Sequence, residues 1–225
     1  MSALDPALAT TDKTMADLRS YIFLDSLQPQ VASFFATVSQ GFLPIAGQAS
    51  LFVEISPGME INFVTDVALK CTKVTPGMQI IERLYGLLEI HSESQADVRS
   101  AGDAILDSLG LKEEDRYKPV IYSNSTIRQI DDHHTMLINR TRHGNMILPG
   151  QSLFTMEVAP AAYAAFAANE AEKTAEINIL EIRAFGSFGR LYLGGEEKDI
   201  DVASKAAEAA IHSLTGRPMK GAGGA

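Results

Sequence analysis

Two neighbouring residues of opposite charge, Glu82 and Arg83, stand inside an otherwise apolar stretch, IIERLYG, at residues 80–86. Strict alternation along a strand would turn one of the two charges inward, so we expect a loop or bulge here. As an isolated surface ion pair the two residues would stabilise the protein very little. Around a threefold axis, however, three such pairs attract one another in one arrangement and swing apart in another. The pair is therefore a candidate gate.

The other reactive residue types do not form a recognisable catalytic or metal site. The sequence has no P-loop, no dinucleotide fingerprint, no HExxH and no GxSxG motif. The DDHH segment at residues 131–134 has metal-ligand residue types, but neighbouring histidines on a strand face opposite ways, so we expect a solvated turn or strand edge. We interpret Cys71 as a small core residue. Asp25 and His91 are isolated polar positions to which we assign no role.

Composition excludes several classes of protein. The chain has 225 residues, 46% of them hydrophobic, and a formal net charge of −9. This much apolar residue can form a core, whereas no apolar run reaches the roughly 18 residues of a membrane span. The N-terminal residues do not follow the pattern of a secretory signal, and a single cysteine forms no internal disulfide. We expect a cytoplasmic protein that binds neither membrane nor nucleic acid, because the latter needs a basic surface.

The sequence contains an internal repeat. Sliding the sequence by 103 residues places residues 40–70 over residues 143–173 without a gap. The identical pairs are Gly41/Gly144, Gly47/Gly150, Gln48/Gln151, Glu54/Glu157, Pro57/Pro160, Phe63/Phe166, Ala68/Ala171 and Lys70/Lys173. Two units of about 100 residues are too few and too long for a solenoid, so the duplication predicts tandem domains.

Each unit has the same predicted order of elements, beginning with a strand and a second short segment. A glycine-bounded turn, a strand, a helix, a strand–loop–strand segment and a closing helix follow. The predicted strand segments are 18–24, 50–55 and 78–90 in the first unit, and 120–127, 153–158 and 177–193 in the second. This order predicts an α+β fold in which two helices cover one face of a small sheet in each unit.

Helix signals support the same order. In the first unit, Ser56 is predicted to cap the first helix, with Pro57 in its first turn. Ser94 is predicted to cap the closing helix, with Asp97 at its third position. The residues expected to face the core are Phe63, Val64, Val67, Ala68, Cys71, Val98, Ala101, Ile105 and Leu109 in the first unit, and Tyr163, Phe166, Ala167, Ala171, Ala203, Ala206, Ala210, Ile211 and Leu214 in the second.

The two units differ in charge and are joined by a short charged linker at residues 111–118. Residues 1–116 have a net charge of −8, whereas residues 117–225 have a net charge of −1. We expect the domains to span residues 17–114 and 115–216. The segments 1–16 and 217–225 lack periodicity and are expected to be disordered.

Particular stretches resemble bacterial microcompartment shell domains. FVTDVALKCTKV (residues 63–74) and FAANEAEKTAEI (residues 166–177) are similar to the family's helix with Asp, Lys and small residues, although Asn169 replaces the aspartate in the second unit. LRSYIFLDSLQPQ and YKPVIYSNSTIRQI come before these helices instead of after them, which resembles the circularly permuted tandem form. IERLYGLLEIH and RAFGSFGRLYLGG resemble the carboxysome kind with a gated pore, and the likeness covers about residues 18–214.

The resemblance implies a structural role and not an enzyme, with no cofactor and no metal. Three chains would form a homotrimeric pseudohexamer that tiles with other hexameric shell proteins in the carboxysome, a cytoplasmic compartment for carbon dioxide fixation. Two trimers would stack face to face. Lys70 and Lys173 match the family's edge lysine, which meets neighbouring pseudohexamers.

The resemblance also implies where the pore lies. Glu82 and Arg83 match the family's gate pair. The equivalent loop of the second unit contains Arg183, Phe185 and Gly186. Ile182 stands where the first unit has Glu82, so three gate pairs are expected and not six. The open loops leave a wide pore and positive charge near it favours anions, so we expect it to pass larger anionic metabolites such as ribulose bisphosphate or phosphoglycerate.

Three alternatives stay open at this point. One is a cytosolic trimeric α+β protein that senses a ligand and does not tile. Another is a shell protein of a microcompartment other than the carboxysome. The third is a small-molecule enzyme with its site between the domains, against which the absence of catalytic motifs argues.

Overall fold

Two antiparallel sheets of four strands form the framework of the protein. The computed structural model describes residues 16–219. The first domain consists of β1 (Asp17–Leu24), α1 (Pro29–Val38), β2 (Ala49–Ser56), α2 (Ile61–Cys71), β3 (Thr75–Glu82), β4 (Tyr85–Ser92) and α3 (Gln95–Leu109). The second domain consists of β5 (Val120–Ile127), α4 (Asp132–Thr141), β6 (Ser152–Ala159), α5 (Tyr163–Glu172), β7 (Asn178–Arg183), β8 (Gly189–Gly195) and α6 (Glu197–Ser213).

Strand order is the same in both sheets, β1-β2-β4-β3 and β5-β6-β8-β7, and every pairing is antiparallel. The sheets therefore share one topology, which is what duplication of a single unit produces. Their equivalent hairpins, β3–β4 and β7–β8, each end in a loop that carries candidate pore residues.

Two helices cover one face of the first sheet, as predicted. A core cluster joins this face to α2 and α3 and includes Leu51, Val53, Ile55, Val64, Ala68, Val98, Ala101 and Ile105. The opposite face of the first sheet belongs to a different core cluster, which also contains α1 and most of the second domain. Phe35 and Phe52 lie there with ring centroids 5.0 Å apart, in the same cluster as Tyr163 and Ala164. The two domains therefore share a core.

All predicted strands are present, and so is the predicted cap of α3, where the Ser94 hydroxyl accepts a hydrogen bond from the Asp97 amide at 3.2 Å. The predicted start of α2 is wrong. Ser56 is the last residue of β2, and the turn Gly58–Glu60 precedes α2, which begins at Ile61. Ser56 cannot cap α2, because the turn separates it from the first residue of the helix.

The inward face of α2 differs from the predicted one. Cys71 is exposed and Phe63 is half-exposed, so neither is a core residue. The buried positions of α2 are Ile61, Val64, Thr65 and Ala68. Because the helix begins at Ile61 and packs with that residue inward, its buried stripe is rotated away from Phe63 and Cys71.

Two polar segments also have surroundings that were not expected. The DDHH segment is neither a turn nor a strand edge, because Asp131 caps α4 and His133 lies in its first turn. His91 is buried, and its Nδ1 lies 3.2 Å from both carboxylate oxygens of Glu89. A charged partner two residues away on the same strand face accounts for a polar residue inside the protein.

The predicted C-terminal disordered segment begins too early. The Arg217 guanidinium binds the Asp17 carboxylate and the backbone oxygen of Asp115, and Arg217 pairs with Tyr117 in a short parallel bridge. Residues 1–15 and 220–225 lie outside the described residues. The domain boundaries 17–114 and 115–216 stay a prediction. Within residues 16–219 the helices are too short or too polar to cross a bilayer.

Candidate functional site

The β3–β4 hairpin presents the candidate gate pair at its tip. Glu82 pairs with Tyr85 across the ladder, so the loop consists of only Arg83 and Leu84. Arg83 has a φ of 54°, a left-handed conformation that tight hairpin turns use. Both loop residues are exposed. The bend expected from the adjacent charges is present, and it leaves Arg83 at the surface.

The loop of the second domain lies directly beside this hairpin. The Glu82 carboxylate lies 3.7 Å from Nη2 of Arg183. Gly186 has a φ of +98°, and a Cβ built on it would lie 3.3 Å from Oε2 of Glu82. Arg83 forms no ion pair with any carboxylate of residues 16–219. Glu82 is thus paired with the second domain and not with its sequence neighbour, a contact that no sequence pattern signals.

A cleft of about 360 Å³ separates the two loops. Its lining residues are Glu82, Arg83, Leu84, Tyr85, Arg183, Phe185, Gly186, Ser187, Phe188 and Arg190. The Arg183 guanidinium lies 5.0 Å from the centroid of the Phe185 ring. Arg190 forms an ion pair of 3.0 Å with Glu157. Three arginines and one glutamate line the cleft, so its lining carries more positive than negative charge. The cleft also brings together all the predicted loop residues of both domains.

A buried ion pair connects this cleft to the interior. Nε of Arg19 lies 2.6 Å from Oε1 of Glu54, and its guanidinium lies 3.5 Å above the Tyr85 ring. The other carboxylate oxygen of Glu54 accepts a hydrogen bond from the Ala162 amide at 3.2 Å. Burial raises the pKa of the Glu54 carboxyl, and the attraction of Arg19 only partly opposes this shift. Neither the pair nor its position behind the hairpin was foreseen from the sequence.

A second buried polar group holds β2 and β4 together. The Ser50 hydroxyl donates a hydrogen bond of 2.6 Å to Glu89, whose carboxylate also lies beside His91. A Cβ on Gly77 would lie 2.1 Å from this carboxylate, so any larger residue there would have to displace the Glu89 side chain. Within residues 16–219, no group of three His, Cys, Asp or Glu side chains is arranged to hold a metal ion.

The two candidate edge lysines have different surroundings. Lys70 has a side chain that is 75% exposed and pairs with Asp66 at 2.6 Å on the same helix. The Lys173 side chain is 32% exposed and binds Glu170 at 2.7 Å and Asp25 of the first domain at 3.4 Å. Partial burial lowers the pKa of Lys173, but Glu170 and Asp25 raise it by more, so the net shift is upward. Lys173 thus lies at the domain junction, whereas Lys70 faces solvent.

Comparison with known proteins agrees with this geometry. The family model for the CsoS1D N-terminal domain matches residues 18–115. The chain is 58% identical over 205 residues to the carboxysome shell protein CcmP of Synechococcus elongatus, covering 91% of this chain and 96% of that protein. It is 51% identical to the carboxysome shell protein CsoS1D of Hydrogenovibrio crunogenus, covering 90% of this chain and 100% of that protein.

Solved structures give the same result. The fused permuted hexameric shell protein MSM0275 of the RMM microcompartment superposes with a TM-score of 0.87 at 46% identity, covering 89% of this chain and 99% of that one. The double ringed trimeric shell protein MSM0271 of the same microcompartment gives a TM-score of 0.88 at 39% identity, with coverage of 91% and 100%.

The duplicated sheet, its permuted strand order and these likenesses define the class: two tandem, circularly permuted microcompartment shell domains in one chain. At 58% identity over nearly the whole length, the chain belongs to the family of tandem-domain carboxysome shell proteins. The relatives are named as shell proteins and not as enzymes, which confirms the prediction of a structural role.

Proposed function

We propose that three chains form a pseudohexameric tile of the carboxysome shell, in a cell that fixes carbon dioxide, with a pore at the centre of the tile. Three two-domain chains place six similar domains around one axis. One solved relative is described as trimeric, which supports this assembly. The tile would pack edge to edge with hexameric shell proteins of the facet.

The observation that carries the pore is the meeting of two hairpin loops in one cleft. Repeated three times, these loops would surround the axis as six loops of two kinds. We assign the gate to Glu82 and Arg83. The wall of the pore would come from Arg183, Phe185 and Gly186 of the second domain.

In this proposal Glu82 determines whether the pore is open or closed, because its carboxylate can form an ion pair with either of two arginines. One is Arg183 of its own chain, 3.7 Å away, and the other is the Arg83 side chain of a neighbouring chain across the axis. Contact with Arg183 holds Glu82 against its own second domain and leaves the pore wide. Contact with a neighbouring Arg83 draws the three loop tips together. A carboxylate that serves one guanidinium at a time produces two discrete arrangements.

Charge indicates which solutes such a pore would pass. Arginines outnumber the single glutamate of the cleft, so anions are favoured over cations. Six loops around one axis leave a wider opening when they are apart than when they meet. We therefore propose that the open pore passes bulky anions of the phosphorylated-sugar class, such as ribulose bisphosphate or phosphoglycerate.

The lysines and the apolar loops would mediate contacts between tiles. We assign Lys70 and Lys173 to the edges, and Lys70 is the more accessible of the two. The loops after α1 and α4 expose apolar side chains at equivalent positions, namely Leu43 and Ile45 in one and Met146 and Leu148 in the other. A rotation axis would place all six such loops on one face of the disc, where they favour face-to-face stacking of two tiles.

Two substitutions with opposite expected effects test the gate. In Arg83→Ala the loops lose the partner that draws them together, so single-particle electron microscopy should find only open pores. In Arg183→Ala the Glu82 carboxylate loses its own-chain partner, so the closed fraction should rise. Arg99→Ala serves as the control, because Arg99 packs on Phe23 and takes no part in the loop cleft.

Sedimentation of the same samples should show trimers of unchanged mass. Closed pores in Arg83→Ala, or shifts in the same direction for both variants, would contradict the gate assignment. Layers of tiles in electron micrographs separate a shell protein from a ligand sensor, which would not form extended layers.

A further inference from the structure

The β3–β4 hairpin has an aromatic ring at its base that lies against a buried cation. Tyr85 begins β4, pairs with Glu82 across the ladder and lines the cleft. The guanidinium of Arg19 lies 3.5 Å from the centroid of the Tyr85 ring. Arg19 is only 8% exposed, whereas Tyr85 is partly exposed. The ring therefore connects the hairpin to a cation in the interior of the protein, a contact that the ring electrons favour.

A β-bulge directs Arg19 toward this ring. The register of β1 against β2 shifts between Leu18 and Ser20, which leaves Arg19 as the extra residue of β1. A bulge bends its strand and changes the direction of a side chain. The order of the sheet is β1-β2-β4-β3, so the Arg19 side chain reaches across β2 to the first residue of β4.

Hydrogen bonds from a later part of the chain hold Arg19 in place. Its Nε donates a hydrogen bond of 2.6 Å to Oε1 of Glu54, and Oε2 of Glu54 accepts one of 3.2 Å from the Ala162 amide. The backbone oxygen of Arg19 accepts a hydrogen bond of 3.1 Å from the Tyr117 amide. Both amides come from the chain after α3. Arg19 thus links the hairpin to the domain whose loop forms the other side of the cleft.

The backbone at the base of the hairpin is closely packed, whereas its tip is free. A Cβ on Gly58 would lie 2.8 Å from the carbonyl carbon of Tyr85, and one on Gly86 would lie 2.4 Å from the Gly58 oxygen. Tyr85 therefore has its backbone against the turn before α2 and its ring against Arg19. The two residues between Glu82 and Tyr85 are both exposed. Motion of the hairpin is consequently easiest at its tip.

The second domain has a pair of neutral rings at the equivalent place. The register of β5 shifts in the same way, and its extra residue is Tyr122. The Tyr122 ring packs edge to face on Phe188, the equivalent of Tyr85, with centroids 4.9 Å apart. Glu157 pairs with Arg190 of β8 and not with the bulge residue. Of these two equivalent loops, only the one with the proposed gate pair lies against a buried cation.

We propose that Arg19 is a positioning residue of the gate, which holds Tyr85 in place while Glu82 and Arg83 exchange partners at the tip. The inference rests on the proposed gate and names the residue that confines its motion. Closure requires three loop tips to reach their partners across the axis at the same time. A hairpin that pivots at its base reaches this position less often, so loss of the Arg19 contact lowers the closed fraction.

Substitutions of Tyr85 test the inference without disturbing the buried ion pair. Tyr85→Leu removes the face of the ring and leaves the pair of Arg19 and Glu54 intact. The closed fraction counted by single-particle electron microscopy should then fall about fivefold or more. Tyr85→Phe keeps the face of the ring and should close like the unmodified chain. Phe188→Leu, the matched change in the second domain, should leave the closed fraction unchanged.

A second set of variants tests Arg19 itself. Arg19→Met combined with Glu54→Gln replaces the buried ion pair by two neutral side chains, so no unpaired charge is left in the interior. This double variant should lower the closed fraction as much as Tyr85→Leu does. Adding Tyr85→Leu to it should lower the fraction no further, because both changes remove the same contact. If Arg19 only stabilised the fold in general, the two losses would add.

Sedimentation and circular dichroism check that each variant is a folded trimer. Equal closed fractions in Tyr85→Leu and Tyr85→Phe, an equal loss in Phe188→Leu, or additive losses in the triple variant would overturn the inference while the gate itself stands. An unmodified chain without closed pores, or closed pores in Arg83→Ala, contradicts the gate, so the two failures are distinguishable.

Discussion

Strands β1 and β5 hold the same place in two sheets of identical order, yet their surroundings are opposite. Almost every residue of β1 is buried, whereas most residues of β5 are exposed. The reason is α5, which lies against β1 and caps α1 from the second domain, while β5 and α4 have no such cover within the described chain. Duplication thus preserved the fold but not the environment, because within the described chain only the first of these two strands is covered by the other domain.

The equivalent glutamates Glu54 and Glu157 show what this difference does to charge. Glu54 is fully buried and depends on Arg19 from β1, whereas Glu157 is partly exposed and pairs with Arg190 from β8. The same residue in the same register is therefore a costly interior charge in one domain and an ordinary surface partner in the other.

The largest expected effect comes from breaking the buried pair. Arg19→Leu leaves the Glu54 carboxylate buried without its cation and should lower the free energy of unfolding by about 3–5 kcal/mol. The matched change Arg190→Leu leaves Glu157 partly exposed and should cost roughly 0–1 kcal/mol. Urea denaturation of both variants measures the difference. Equal losses of unfolding free energy in the two variants would contradict the inference that Glu54 and Glu157 have different environments.

A smaller contrast is expected for the apolar ends of the two strands. Leu24 is 1% exposed and its equivalent Ile127 is 38% exposed. Leu24→Ala should cost about 3 kcal/mol, since it removes buried methyl groups and leaves a cavity. Ile127→Ala should cost less than about 1 kcal/mol in a chain that has not assembled. Denaturation at concentrations below trimer formation isolates this comparison from contacts between chains.

A pH dependence should distinguish the two glutamates. The pKa of Glu54 is higher in the folded chain than its usual value near 4.5, so the folded state holds its proton more tightly. Stability should therefore fall as pH rises through the interval from about 4.5 to the folded pKa, and recover on acidification. Glu54→Gln should remove this part of the pH profile, while Glu157→Gln should keep it. A profile unchanged by Glu54→Gln would contradict the assignment.

The smallest effect concerns the two lysines. Because the pKa of Lys173 is raised in the folded chain, its contribution is complete below the unfolded pKa and is lost as pH rises through the folded value. Lys173→Gln should therefore flatten the alkaline end of the stability profile slightly. Lys70→Gln, which changes a lysine that makes no contact with Glu170 or Asp25, is the control and should leave the contribution of Lys173 in place. Thermal unfolding between neutral and strongly alkaline pH measures both.

The sequence was sufficient for the fold where local patterns decide it. The duplication, the strand segments and the Ser94 cap can each be recognised from residue types and spacing in the sequence, and all three are found in the structure. The start of α2 was misplaced because Pro57 signals a helix but stands one turn before it. Cys71 was assigned to the core because helical periodicity gives the spacing of a stripe and not its rotation toward a particular partner.

The candidate site was predictable only in part. The Glu82-Arg83 charges indicated a loop, and the loop is there. The partner of Glu82 is Arg183, which is 101 positions away and reaches it only through the packing of two domains. The same holds for Glu172, whose carboxylate accepts hydrogen bonds from the first amides of α1, and for Arg19 beneath Tyr85. Contacts between domains depend on tertiary packing, for which a single sequence carries no local signal.

The contacts of Arg217 bring distant parts of the backbone together. Its side chain binds Asp17 at the start of the first strand and the backbone of Asp115 midway along the chain. The two ends of the described chain therefore lie close together, and a short peptide joining Asp17 to Arg217 would close the backbone into a covalent circle without moving either sheet. A circular chain has fewer unfolded conformations than the open chain. Closing it would therefore stabilise the folded state by lowering the entropy of the unfolded one.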